Sequence, residues 1–223
     1  MKKVLFSCLG LAILAVSCSK NDPAPANPAS SKFMTLTAGS TWNYETIDNI
    51  TPGTTSYTVT STTRDTTING KVYHVFTNSN GNTSEYYNIT DNSYYNYAEL
   101  TAPLDPIEFL YLKDNVAAGG SWSQSVPVTV PGLPFPLTAT VTNTVEEKGG
   151  SKVVNGITYT NVIKVKTDIS VAGIPASAIT TNIHSYYAPK YGQIRTESAI
   201  DINYGGVVNN SNTTTNLLSS NIP

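Results

Sequence analysis

The side chains able to do chemistry are few. Among 223 residues there are two histidines, His74 and His184, and two cysteines, Cys8 and Cys18. A nucleophile needs an adjacent base and a third group to orient that base. Serines are plentiful, yet none stands in the Gly-x-Ser-x-Gly turn that exposes a catalytic hydroxyl. No His/Cys spacing suits zinc, and no Asp-rich, glycine-centred loop suits calcium. Glu146 with Glu147 reads as a hairpin end and Asp105 with Glu108 as a helix cap, while His184, in step with Thr180, Asn182 and Tyr186, reads as a solvated surface residue. The expectation is a protein that is not an enzyme and carries no cofactor or metal. One reactive group remains, the thiol of Cys18.

The residues before that thiol explain it. MKKVLFSCLGLAILAVSC begins with two lysines and continues with an apolar stretch from Val4 to Val16, shorter than the about 20 residues of a membrane-spanning helix. It reads as a secretion signal, and Cys8 leaves with it. The run Leu14-Ala15-Val16-Ser17-Cys18 resembles the lipobox of bacterial lipoproteins, with Ala15 where leucine is commonest. The resemblance implies that residues 1–17 are removed and that Cys18 becomes an acylated N-terminus. A single cysteine then remains, so no intramolecular disulfide can form. Residues 18–32 are proline-rich and polar, a tether that holds a domain off a membrane. Ser19 lacks the aspartate that, by resemblance to lipoprotein sorting in Gram-negative bacteria, retains proteins at the inner membrane, which implies an outer-membrane address. The opening Cys-Ser-Lys-Asn-Asp also looks like lipoproteins of the Bacteroidetes group. Loss of Lys2 and Lys3 changes the count of basic and acidic residues from 13 and 15 to 11 and 15, a net charge of −4. No basic footprint for nucleic acid is present.

The elements that must position everything else are strands. The chain is rich in Thr, Asn, Ser, Tyr and Val, with 39% hydrophobic and 13% charged residues, a composition that favours pleated strands and turns. The phrase Ala38-Gly-Ser-Thr-Trp42 returns as Ala118-Gly-Gly-Ser-Trp122; Asn69-Gly70 is echoed by Asn155-Gly156, and Tyr86-Tyr87 by Tyr186-Tyr187. Three matches in the same order read as an internal duplication. Asn-Gly between alternating segments is the signature of a type I′ hairpin turn, and the two tryptophans read as core residues at the start of a strand. Alternation is clear over Leu137–Glu146, Ile163–Val171 and Ile194–Tyr204. Long strands with one apolar face suit a strongly curved antiparallel sheet, a half-barrel, better than the alternative β-sandwich. Asp105, Pro106 and Glu108 have the spacing of a capped helix start, so residues 105–112 are expected as one short connecting helix, with Phe109–Leu112 as a strand the alternative. The predicted organisation is one β domain, 33–223, made of two repeats (about 33–100 and 113–205) and ending in a polar C-terminal tail. At the level of architecture it resembles the half-barrels of bacterial lipoprotein carriers and receptors (the LolA/LolB type), and Tyr186-Tyr-Ala-Pro-Lys-Tyr-Gly192 looks like uncharacterised Bacteroidetes lipoproteins.

Function is then expected on the concave face. Ile107, Phe109 and Leu110 at its mouth are the candidate ligand site for an apolar small molecule or a lipidated partner. The alternative is a surface that binds glycan or an envelope protein through Tyr94, Tyr95 and Tyr97, or a structural envelope role. Two apolar phrases between strands, 130–136 and 171–175, read as hairpin tips whose Leu133, Phe135 and Ile174 touch a bilayer or a partner, or else fold over the open end of the sheet as a lid.

Overall fold

The computed structural model describes residues 32–99, 106–128, 137–205 and 207–223. Cys18, Leu133 and Phe135 lie outside the described residues. Twelve strands account for most of the rest: β1 (Thr41–Asp48), β2 (Gly53–Ile68), β3 (Lys71–Asn78), β4 (Thr83–Thr90), β5 (Ser93–Ala98), β6 (Ile107–Lys113), β7 (Ser121–Val128), β8 (Leu137–Val154), β9 (Ile157–Val171), β10 (Ile179–Ala188), β11 (Gly192–Tyr204) and β12 (Val207–Asn221). They form one sheet in the order β6-β5-β4-β3-β2-β1-β12-β11-β10-β9-β8-β7, every pair antiparallel. This is an up-and-down meander bent until its first and last strands pair, so the expected all-β, strongly curved antiparallel sheet is present and is nearly closed.

Two expectations are corrected. Residues 107–113 form strand β6, not a helix; the helical content among the described residues is one 3-10 turn at Ala176–Ala178. β5 offers a free ladder edge, Phe109, Leu110 and Tyr111 are good strand residues, and pairing with β5 from Ala98↔Ile107 to Ser93↔Lys113 outweighs the capping signal. The C-terminal segment is likewise no tail. It forms β12, which lies between β1 and β11 and pairs with both. Its run of Asn, Thr and Ser hides the strand, because the side chains that betray it are few: Leu217 is fully buried and Thr215 shares a 2.8 Å hydroxyl contact with Thr46 on β1.

The repeated phrases build the same turn. Gly39 N–H donates to Ser61 O at 2.9 Å and Ser61 N–H to Ser40 O at 2.9 Å; Gly119 N–H donates to Val145 O at 2.7 Å and Val145 N–H to Gly120 O at 2.9 Å. Both Gly39 and Gly119 have positive φ, 82° and 85°, a conformation that costs a residue with a Cβ about 1–2 kcal/mol. Each turn delivers a tryptophan inward, Trp42 on β1 and Trp122 on β7, 2% and 7% exposed. The Asn-Gly turns also recur, with positive φ at Asn69, Gly70, Asn155 and Gly156 as type I′ requires.

Each tryptophan centres its own cluster. Trp42 packs with Phe76, Ile194 and Leu217, and Trp122 with Tyr94, Leu112, Val145 and Ile163. The segment ahead of β1 joins them: Met34 packs against both clusters, bridges to Tyr191, and follows Phe33, whose N–H donates to the Tyr94 hydroxyl at 3.0 Å.

The remaining edges, β6 and β7, meet without a backbone ladder. Side chains of β7 and β8 reach across. Trp122 Nε1–H donates to Leu110 O at 2.9 Å, Gln124 Oε1 accepts the Leu110 N–H at 2.8 Å while its Nε2–H donates to Glu108 O, and Asn143 Nδ2–H donates to Leu110 O at 3.4 Å. The Gln124 amide thus takes the place of a peptide group from a neighbouring strand.

Gly39→Ala and Gly119→Ala should each destabilise the protein by about 1–2 kcal/mol, because neither added methyl meets an atom within 4 Å and only φ is penalised. Equal losses in urea midpoint check that the two turns are equivalent. Gln124→Ala should cost about 1–3 kcal/mol and raise hydrogen exchange at the Leu110 N–H more than at amides of β3.

Candidate functional site

Strand alternation sends every second side chain to the same face, and four strands use it to send pairs inward. Trp42 and Tyr44 from β1, Tyr57 and Val59 from β2, Glu85 and Tyr87 from β4, and Phe109 and Tyr111 from β6 wall a cavity of about 310 Å³, closed on the far side by Tyr187, Tyr191 and Gln193. The volume is at the small end of ligand pockets. At about 30 Å³ per water-sized group it holds roughly ten such groups.

The rings hold one another. Tyr44 stacks on Tyr57 at 5.5 Å between centroids, Tyr87 meets Phe76 and Tyr111 edge-on at 5.0 and 6.2 Å, and Tyr111 lies 5.7 Å from Tyr187. Their hydroxyls are mostly spent inside the wall: Tyr44 donates to Gln193 O at 2.9 Å, Tyr87 to Glu85 Oε2 at 2.7 Å and Tyr111 to Met34 Sδ at 3.4 Å. Burial raises the pKa of Tyr44, Tyr87 and Tyr111 well above the ordinary phenol value, with nearby Glu85 adding to the rise at Tyr44 and Tyr87. Burial, partly offset by a hydrogen bond with Ser185, pushes Tyr187 up to about 12. The phenols therefore stay neutral, and the charge in the wall is the carboxylate of Glu85, which also accepts from Asn78 Nδ2 at 2.5 Å.

The candidate ligand residues are divided by this arrangement. Phe109 lines the cavity; Leu110 packs against the Trp122 cluster and gives its backbone to the β6–β7 seam, and Ile107 begins β6 opposite Ala98. Ile174 is half-buried in the connection from β9 to β10. Tyr94 is fully buried, Tyr97 packs on Tyr73 and Tyr86, and Tyr95 carries the Lys71 ammonium 3.0 Å from its centroid, so these rings form no open coplanar platform. His184 is half-buried and within 3.2 Å of Glu146, not freely solvated; Lys164 also binds Glu146 at 2.9 Å, and the contact lowers the Glu146 pKa.

Glu85, Tyr44, Tyr57 and Tyr111 went unnoticed in the sequence as site residues. Their signal was there as aromatic, apolar or acidic residues two apart, Trp42/Tyr44, Tyr57/Val59, Glu85/Tyr87 and Phe109/Tyr111, but spacing does not say that four such pairs converge. A second unannounced arrangement is Ser61, His74 and Asp65, with Ser61 Oγ 3.0 Å from His74 Nε2 and His74 Nδ1 2.6 Å from Asp65 Oδ1. The distances are those of a nucleophile–base–acid chain. The serine, however, is 1% exposed and its hydroxyl donates to Leu36 O at 3.0 Å. It ties the bulge between β2 and β3 to the segment ahead of β1. Among the described residues no group of three or more His, Cys, Asp or Glu side chains could hold a metal ion.

No family model and no curated protein matches the chain. A solved structure does: a protein of Parabacteroides distasonis, named a "putative lipoprotein", superposes with a TM-score of 0.54 at 15% identity, covering 87% of this chain and 100% of that one. The likeness is one of fold.

Buried phenols also set a pH limit. A tyrosine whose pKa is higher folded than unfolded contributes stability that is intact below the unfolded value, about 10, and is lost as pH rises through the folded value. The barrel should hold its melting temperature up to about pH 10 and lose it steeply above, with tyrosinate absorbance appearing together with the loss of circular dichroism.

Proposed function

We propose that the protein is a non-catalytic lipoprotein of the bacterial cell envelope, lipid-anchored at the outer membrane, that holds a small ligand inside its barrel. The observation that carries the ligand role is the unfilled cavity among Tyr44, Tyr57, Tyr87 and Tyr111. A sheet of this curvature could fill its interior with side chains, and this one leaves room for about ten water-sized groups. The anchor is supported by the run Leu14-Ala-Val-Ser-Cys18 followed by a proline-rich tether, and by the shared fold of the Parabacteroides distasonis protein. The wall sets Glu85, Asn96 and Gln193 beside its rings, which favours a small ligand with polar character over a purely apolar one. Buried acyl carbons add about 0.8 kcal/mol each to membrane attachment, so the fatty chains on Cys18 serve as anchor.

Two measurements on the protein extracted from its own membranes test this. Metabolic labelling with palmitate should mark the wild type and not Cys18→Ser; label on the variant would remove the anchor assignment. Native mass spectrometry should show a non-covalent adduct of small mass, and loss of that adduct should follow substitution of Tyr57 by Trp, which fills the cavity.

A further inference from the structure

We propose that the cavity takes a small organic ammonium ion, with Glu85 as its counter-charge and the faces of Tyr44, Tyr57 and Tyr87 as its walls. The proposal rests on the reading of the cavity as a ligand site and gives that ligand its chemical class.

The charge in the wall lacks a cation. Glu85 accepts hydrogen bonds from Asn78 and Tyr87, both neutral, and among the described residues no Lys, Arg or His side chain forms a salt bridge with it. A half-buried carboxylate beside aromatic rings gains from a paired charge. The rings supply the second half of the site. With the hydroxyls of Tyr44, Tyr87 and Tyr111 turned to partners in the wall, their rings line the cavity together with Glu85, Asn96 and Gln193, and the negative face of an aromatic ring attracts a cation. The neutral phenols neither compete for that cation nor compensate Glu85.

The protein makes the same combination elsewhere with its own lysines. Lys71 places its ammonium 3.0 Å from the Tyr95 centroid and 2.6 Å from Glu108. Lys152 lies 3.9 Å from the Tyr186 centroid, with Lys164 and its partner Glu146 beside it. In the cavity the carboxylate and the rings are present and the described residues contribute no ammonium. Other ligand classes fit less well. An anion would face Glu85 with no basic residue in the wall, an alkyl chain would leave the carboxylate without a partner, and a neutral sugar would bring hydroxyl donors but no counter-charge.

Calorimetric titration of the detergent-solubilised protein with choline tests the class. Choline should bind; its uncharged isostere, with carbon in place of the quaternary nitrogen, should bind at least tenfold more weakly, a difference of about 1.4 kcal/mol. Glu85→Gln keeps the size and one acceptor oxygen of the side chain and removes its charge, and should weaken choline by a similar factor with an unchanged circular dichroism spectrum. Equal binding of choline and its isostere overturns the proposal without recourse to any variant. Binding of methyl glucoside or decanoate in place of choline overturns the ligand class and leaves the cavity as a ligand site, whereas no binding by any of these, with no adduct from the native membranes, removes both.

Discussion

Closure of the sheet is the constraint on which the rest depends. A long meander with one apolar face must hide that face, and here it does so by curling until β12 reaches β1, whose ladder runs from Thr41↔Asn221 to Asp48↔Thr213. Without that pairing Trp42, Tyr44 and Leu217 would face water. Backbone hydrogen bonds alone do not complete the ring, because β6 and β7 arrive as two edges. Exposed edges invite pairing with other chains, and the side chains of Trp122, Gln124 and Asn143 cover the β6 backbone instead.

The two copies share a turn and use it differently. Trp122 donates its indole N–H across the seam, whereas the equivalent Trp42 lies on a strand already paired with β12 and its N–H has no hydrogen-bond partner among the described residues. Ser61 occupies the turn contact that Val145 fills in the second copy, and only the serine recruits a histidine and an aspartate. At Gly120 an added Cβ would stand 2.7 Å from Val116 Cγ1, so the serine found at position 40 would not fit there without movement. The cavity is walled mostly by strands of the N-terminal half, β1, β2, β4 and β6.

An aromatic interior suits such a cavity. Aliphatic side chains fill space by interdigitating, while rings braced edge-to-face and by stacking can line a void without collapsing into it. The burial that holds the phenols neutral also confines negative charge to one carboxylate, which gives the cavity a definite polarity.

What the sequence determined by itself was local. Asn-Gly turns, the Ala-Gly-x-x-Trp phrase and period-two alternation are properties of a few adjacent residues, so the strands, their antiparallel order and the burial of both tryptophans were legible. Tertiary structure decided whatever depended on a partner distant in the chain. Residues 105–112 had the capping pattern of a helix, and the open edge of β5 made a strand of 107–113. The polar segment after 206 had no pattern of its own, and the gap between β1 and β11 gave it one. Glu85 looked like any strand carboxylate until three other strands brought their rings to it, because convergence is a property of the closed sheet and not of any stretch of the chain.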